Sequence, residues 1–304
     1  MKDQKEYVKL LMDQLDYPEN AQAVFLNALD RIAQNASAKA QFEALLAQYN
    51  ESEHCPYLQM LEQMDELGES VGIHKHTAEM LMYLCFAKKL RERYAERGID
   101  DSIYLNSMMD LRYKLEECRL VYGTVGSFVA SWFRGFFDLS RFALGRLQFE
   151  IVESKEAYTV SGTLFPAGTK AINVHIPRTG TRLDHNQVLD AYRMAAEMFA
   201  SVFKNQPIVF VCDSWLLDPW NLTVLSPTSN LAAFCTDFQL VKVSERKDYN
   251  DMWRLFDCLY TGDPSVLPRD SSFRRAYAQR LERGEPVAHG LGMFIYRDGM
   301  IVHE

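Results

Sequence analysis

Apolar residues recur at helical spacing through the first part of the chain. Over residues 5–16, Tyr7, Leu10, Leu11 and Leu15 fall on one face of a predicted helix. The same spacing predicts five more helices, which begin near Pro18, Ser37 (as an N-cap), Tyr57, His76 and Ser102. The aromatic segment 127–138 is predicted as a buried helix or hinge.

The pattern changes near Ser140, where strand formers and alternation take over. Three segments are predicted to form an antiparallel meander: Arg141–Val152, Tyr158–Leu164 and Lys170–Ile176. A helix over 184–204, a strand over 208–212 and helical pieces over 216–234 follow. The remaining predictions are a strand over 238–243, helices over 249–259 and 272–283, and a final hairpin with an Asp-Gly turn over 287–302. The sequence therefore predicts an α+β protein with a helical domain over 1–140 and a mixed, mostly antiparallel sheet with flanking helices over 141–304.

Composition narrows the class of protein. The formal net charge is -8 and the chain has no long Lys/Arg run, so we expect no nucleic-acid partner. No apolar run approaches the ~20 residues that cross a bilayer, and the polar N-terminus lacks a signal core, so we expect a cytoplasmic protein without a membrane partner. The six cysteines form no C-x-x-C pair and are predicted to be reduced thiols.

Polar groups follow the strand that ends at His175, and they suggest an anion site. A histidine at a strand end suits a general base, because the ordinary imidazole pKa is ~6.5, although a lone strand histidine is also often structural. The loop that follows offers Arg178, Thr179, Gly180, Thr181 and Arg182 before a helix that Asp184 or Thr181 can cap. Backbone N–H groups at a helix start beside arginines can hold a phosphate, and the alternative is an ordinary capped loop.

A second polar group follows the strand over 208–212. Asp213 could orient His175 or hold a substrate amine, and Ser214 could donate a hydrogen bond to a carbonyl, or either could simply cap the next helix. A nucleophile at Ser214 or Cys212 is a weaker hypothesis, since no G-x-S-x-G elbow is present. His54, Cys55, His74 and His76 lack metal-ligand spacing, so no metal is expected.

With these residues in view, the chain resembles bacterial acyltransferase-domain proteins that join a helical N-terminal domain to a GNAT-like C-terminal domain. The matching pieces are Ala143–Glu150, Val174-His175-Ile176-Pro177 with Gly180, Cys212–Leu217, and Ser229-Asn230.

The resemblance implies transfer of an acyl group from acyl-CoA or acetyl-CoA to an amine by direct attack. It implies catalytic roles for His175, Asp213 and Ser214, and a CoA pyrophosphate site at Arg178, Thr179, Gly180, Thr181 and Arg182. Trp215 and Asn230 would contact a small-molecule or peptide acceptor. The rival hypothesis is a non-catalytic ligand-binding or interaction protein on the same scaffold. The oligomeric state stays open.

Overall fold

The computed structural model describes residues 2–52, 54–204, 206–246, 249 and 251–302. The chain divides into two compact units, the first over residues 1–143 and the second over residues 144–304. The predicted boundary between residues 140 and 141 stays a prediction. It falls at the start of a short strand, β1 (Arg141–Leu144), whereas the division falls inside that strand.

The first unit is helical, as predicted. Its helices are α1 (Lys2–Gln14), α2 (Glu19–Gln34), α3 (Ala36–Glu51), α4 (Tyr57–Ser70), α5 (Lys75–Glu96), α6 (Asp101–Tyr122) and the short α7 (Arg134–Phe137), which follows a 3-10 turn over Ala130–Phe133. Helix α5 lies at the centre and contacts α1 to α4, α6 and α7. Every residue from Thr77 to Ala87 is buried, because a helix that is surrounded by others needs apolar residues on all its faces.

One helix start in this unit differs from the prediction. Asn35, not Ser37, caps α3, and its side-chain oxygen accepts a hydrogen bond from the Ala38 N–H at 3.0 Å. Ser37 is the second residue of the helix, where its hydroxyl accepts a hydrogen bond from Gln41 Nε2 at 3.2 Å. Both residues are common N-caps, so the sequence alone did not distinguish them.

The second unit contains a mixed sheet with flanking helices, which confirms the α+β prediction. Its strands are β2 (Leu147–Glu153), β3 (Tyr158–Val160), β4 (Thr163–Phe165), β5 (Lys170–His175), β6 (Ile208–Ser214), β7 (Gln239–Arg246), β8 (Val287–Arg297) and β9 (Met300–Val302). Its helices are α8 (His185–Met198), α9 (Ala200–Phe203), α10 (Asn221–Val224), α11 (Asn230–Thr236), α12 (Trp253–Phe256) and α13 (Ser272–Glu282). Two 3-10 turns cover Trp215–Leu217 and Pro264–Val266.

The predicted three-stranded meander is wrong. Gly145, with a positive φ of 58°, turns the chain within the first segment and separates β1 from β2. The second segment folds on itself at Ser161-Gly162, and β3 and β4 form a separate two-stranded sheet. Strand β2 therefore pairs directly with β5, because the intervening hairpin leaves the main sheet. The predicted helix over 249–259 is also too long, since only Trp253–Phe256 is helical.

The order of the main sheet within this unit is β2-β5-β6-β8-β7, with β9 beside β8. All neighbouring pairs are antiparallel except β5 and β6, which run parallel. One face packs on α8 through the aromatic rings of Phe149, Tyr192, Phe210 and Phe294. The other face packs on the β3–β4 hairpin through an apolar cluster that includes Val160, Phe165, Ala171, Val209, Val211 and Met293.

Candidate active site

The central sheet opens between its two parallel strands. Strands β5 and β6 pair only at Ile172 with Phe210 and at Asn173 with Val211. Each strand continues past that point on its other side: β5 pairs with β2 as far as His175, and β6 pairs with β8 as far as Ser214. The carboxyl ends of the parallel strands therefore separate, and ligands of open α/β sheets bind at such ends.

The polar side chains beside this opening share one face of the sheet. Side chains alternate along a strand, so Asn173 and His175 project on the same face as Ala171, and Asp213 projects on the same face as Val211. Glu150 joins this face, because it lies opposite Asn173 in the β2–β5 register. The apolar part of the face is covered by the hairpin, and the polar part lies beyond it, toward the strand ends.

His175 has a carboxylate partner across the strand pair. Its Nε2 lies 2.7 Å from the Glu150 Oε1, and Asn173 Nδ2 donates a hydrogen bond to the same oxygen at 3.3 Å. Both partners are mostly shielded from water, with side-chain exposures of 22% for His175 and 18% for Glu150. Asn173 Nδ2 also lies 3.1 Å from Nε2, so the carboxylate and the amide together orient the His175 ring.

Asp213 does not contact His175 and instead has its own histidine partner. His289 on β8 lies between two carboxylates, with Nδ1 3.6 Å from Asp213 Oδ1 and Nε2 3.2 Å from Asp251 Oδ2. The contacts with Asp213 and Asp251 raise the pKa of His289 to about 9. The same histidine lowers the pKa of Asp213 and holds the pKa of Asp251 at about 2. At neutral pH His289 is therefore a cationic imidazolium between the carboxylates of Asp213 and Asp251.

Arg178, predicted to bind pyrophosphate, forms an ion pair within the second unit. Its guanidinium binds one oxygen of Asp257, and Arg274 Nη2 donates to the other oxygen at 2.5 Å. Burial alone would raise the pKa of Asp257, but the hydrogen bonds from the two arginines lower it. The Arg178 side chain is therefore already paired with a carboxylate in this structure.

The remaining residues of the predicted phosphate loop, 179–182, are half-buried or exposed. Gly180 has a φ of 78°, and a Cβ built there would meet no atom within 4 Å, so the turn selects glycine for its backbone conformation. The Thr181 N–H donates to the Thr179 hydroxyl at 3.3 Å, and Arg182 is exposed. As predicted, Asp184 caps α8 and accepts from the Gln187 N–H at 3.1 Å.

Ser214 and Trp215 lie where β6 ends, and both have local structural partners. The Ser214 hydroxyl accepts from the Leu216 N–H at 3.1 Å and so caps the 3-10 turn. The Trp215 ring stacks on Phe273 at a centroid distance of 6.3 Å. Asn230, predicted to bind substrate, is the first residue of α11, after the Ser229 cap.

The nucleophile hypothesis finds no support in the surroundings of Cys212. The side chain is 1% exposed, and burial raises the pKa of its thiol far above the ordinary value. A reactive cysteine needs the opposite environment, one that stabilises the thiolate.

A small cavity opens beside the Asp213–His289 contact. Its volume is about 100 Å³, and its lining includes Trp215, Arg246, Asp251, Met252, Val287 and His289. No group of residues in the described part of the chain could hold a metal ion. None of the described helices combines the length and the apolar character that crossing a membrane requires.

Sequence reasoning missed four residues of this region: Glu150, Asp251, Asp257 and His289. A histidine in an alternating strand was a usable signal for His289, as it was for His175. The three carboxylates gave no signal, because each acquires its role from a partner far along the chain, 25 residues away for Glu150 and 79 for Asp257.

Comparisons with known families and structures agree with this architecture. Residues 6–139 match the N-acyltransferase N-terminal domain, and residues 141–294 match the GNAT-like C-terminal domain. No curated protein matches the sequence.

Solved structures of acyltransferases share the fold. One, in complex with decanoyl-CoA and teicoplanin, superposes with a TM-score of 0.75 at 19% identity and covers 96% of this chain and 88% of its own. A mutant acyltransferase in complex with octanoyl-CoA gives a TM-score of 0.76 at 20% identity, covering 96% of this chain and 88% of its own. At such identity the likeness establishes the fold, which confirms the predicted GNAT-like architecture.

Proposed function

Because this chain belongs to the family with the GNAT-like C-terminal domain, we propose that it is an acyl-CoA-dependent N-acyltransferase. The opening between β5 and β6 is the observation that carries this proposal. An acyl thioester placed between the separated strands lies against backbone groups of β5 that β6 does not engage. Backbone N–H groups there can polarise the thioester carbonyl and stabilise the charge that develops on its oxygen.

In the proposed reaction, a neutral amine attacks the thioester carbonyl, the C–N bond forms and the C–S bond breaks. The amine proton passes to His175, and CoA leaves as a thiolate that takes up a proton to become the thiol. His175 suits the base, because it lies at the end of β5 beside the opening and Glu150 orients its ring. No covalent enzyme intermediate is needed, which agrees with the buried, protonated thiol of Cys212.

We assign different roles to the two candidate bases of the sequence. Asp213 has a pKa that is lowered by its contact with His289, and a weaker base accepts a proton less readily. Its carboxylate is 58% exposed and suits an anchor for the ammonium form of the acceptor. Ser214 stays a candidate donor to the thioester carbonyl, in addition to its capping role.

The CoA pyrophosphate would bind the loop over 178–182. Gly180 lets the backbone approach a phosphate closely, Thr179 and Thr181 offer hydroxyl groups, and Arg182 is exposed. Arg178 would exchange its Asp257 partner for phosphate oxygens. The acceptor would be a small molecule or peptide that carries an amine, near Trp215 and Asn230.

Calorimetry with CoA and with acetyl-, octanoyl- and decanoyl-CoA tests the proposal. The two longer donors come first because the similar structures hold octanoyl- and decanoyl-CoA. We expect saturable binding and release of CoA thiol when an amine is added. His175→Ala should keep the binding and lower turnover by about 10²–10⁴-fold, whereas His54→Ala, an exposed histidine of the first unit, should change neither. No binding at millimolar concentration for any acyl length would overturn the proposal.

A non-catalytic ligand-binding protein on the same scaffold is the second candidate. The occupation of Arg178 by Asp257 favours it, because an arginine that is already paired binds phosphate less readily. This candidate predicts ligand binding without thiol release for any amine. The hydrolase hypothesis has no comparable observation in its favour.

A further inference from the structure

The cavity lies beside the carboxyl end of β6, since Trp215 lines it and directly follows that strand. Its lining includes His289, which contacts Asp213, and Asp213 is two residues beyond Val211, where β5 and β6 separate. Asp213 and His175 share one sheet face. An amine held at Asp213 therefore faces the opening from the β6 side, while His175 faces it from the β5 side.

Charged groups of both signs surround the cavity, since Arg246, His289 and Asp251 line it and Asp213 contacts His289. Asp213 supplies an accessible carboxylate, since its side chain is 58% exposed. Arg246 lines the cavity and lies close enough to act electrostatically on both Asp213 and His289. Among the described residues Arg246 has no ion-pair partner, whereas Arg254 is paired with Asp251. A guanidinium beside an accessible carboxylate suits a ligand that carries both an ammonium and a carboxylate group.

The remaining surface of the cavity sets the size and polarity of the ligand. Trp215, Met252 and Val287 give it an apolar lining, and Met252 and Val287 are buried in the protein core. Its volume of about 100 Å³ is smaller than the cavity of about 150 Å³ that binds benzene. The space thus fits a small aliphatic group better than an aromatic ring.

From these observations we propose that the acyl acceptor is a free α-amino acid with a small aliphatic side chain. Its ammonium group would bind Asp213, its carboxylate would bind Arg246, and its side chain would occupy the cavity over Trp215, Met252 and Val287. This inference rests on the proposed acyl transfer and specifies its acceptor class. After the ammonium loses one proton, attack on the thioester forms an N-acyl amino acid and releases CoA thiol.

The test compares L-leucine with L-leucine amide as acceptors, with decanoyl-CoA as the donor and thiol release as the readout. The amide keeps the amine and the side chain but lacks the negative charge. We expect kcat/KM to favour leucine by about tenfold or more, since a charge-assisted contact is lost in the amide. L-tryptophan should be a poor acceptor, because its side chain exceeds the cavity.

Arg246→Gln should bring the leucine-to-amide ratio of kcat/KM close to one, because only the acid carries the charge that Arg246 would bind. Arg297→Gln, an exposed arginine at the end of β8, is the matched control and should leave the ratio unchanged. Equal use of acid and amide by the wild-type protein, or an unchanged ratio in Arg246→Gln, would overturn the inference.

Calorimetry of L-leucine without CoA separates this inference from the proposed function. Leucine binding that Arg246→Gln weakens, in a protein that binds no acyl-CoA, would support the cavity assignment and refute acyl transfer. Acyl-CoA turnover with other amines, but neither binding nor acylation of leucine, would refute the acceptor assignment alone.

Discussion

Glu150 on β2 holds His175 on β5 through a contact of 2.7 Å between Oε1 and Nε2, and this pair lies beside the opening of the sheet. The carboxylate orients the ring of the proposed base. It acts on the reaction through His175, so Glu150 is a positioning residue.

Glu150→Gln should lower kcat by roughly 10- to 100-fold, less than His175→Ala, because the amide can accept a hydrogen bond but cannot stabilise an imidazolium. The rise of kcat with pH should also move to lower pH, because an imidazolium without a neighbouring carboxylate loses its proton more readily. Glu153→Gln, at the exposed end of the same strand, is the control. An unchanged profile together with an unchanged kcat would refute the positioning role.

Asp257→Asn should strengthen CoA binding by about three- to tenfold. Removing the negative charge frees Arg178 for phosphate, and asparagine tolerates the left-handed conformation that Asp257 adopts with a φ of 60°. Asp270→Asn is a matched control, since Asp270 pairs with Arg274 and not with Arg178. Calorimetry with CoA gives the affinities. Weaker binding in Asp257→Asn would indicate that the ion pair orders the loop and does not compete with phosphate.

His289 should make stability depend on pH in the alkaline range. Its folded-state pKa of about 9 lies above the ordinary value, so the stabilisation is complete below about pH 6.5 and is lost as the pH rises through about 9. The loss should be on the order of 2 kcal/mol, because the imidazolium is largely shielded, with a side-chain exposure of 17%. Unfolding by denaturant at pH 7 and pH 10 measures it. His289→Gln should remove this component, and His54→Gln should retain it.

Gly290→Ala should destabilise the protein by about 1–3 kcal/mol. A Cβ at this position would lie 2.1 Å from the Leu217 carbonyl oxygen, so the 3-10 turn that carries Trp215 would have to move. Val243→Ala, opposite Gly290 on β7 and 48% exposed, should cost less. Thermal unfolding compares the two variants. Equal stability of both would show that the turn shifts without cost, and Trp215 would then not be fixed by this contact.

Local signals in the sequence predicted much of the fold. Helical spacing located the long helices of the first unit, because a buried helix face repeats its apolar residues regardless of its partners. The Asp-Gly turn of the last hairpin followed in the same way, since Asp298 and Gly299 both adopt positive φ values that this turn requires. The Asp184 cap was equally local.

Strand pairing was less accessible to sequence reasoning. The segment Tyr158–Leu164 alternates like a sheet strand, yet it folds into a hairpin of its own. Alternation reports that a strand has two different faces, but it does not report which strand lies beside it. Pairing between β2 and β5 depends on where the hairpin packs, and that is a property of the whole unit.

The sequence by itself determined the helical first unit, the α+β second unit and the positions of His175 and Asp213 at strand ends. Only the tertiary structure decided their partners: Glu150 for His175, His289 for Asp213 and Asp257 for Arg178. Spacing along a chain fixes which residues share a helix face or a strand face. The contact between two charged groups from distant segments depends on sheet order and register, which arise when the core packs.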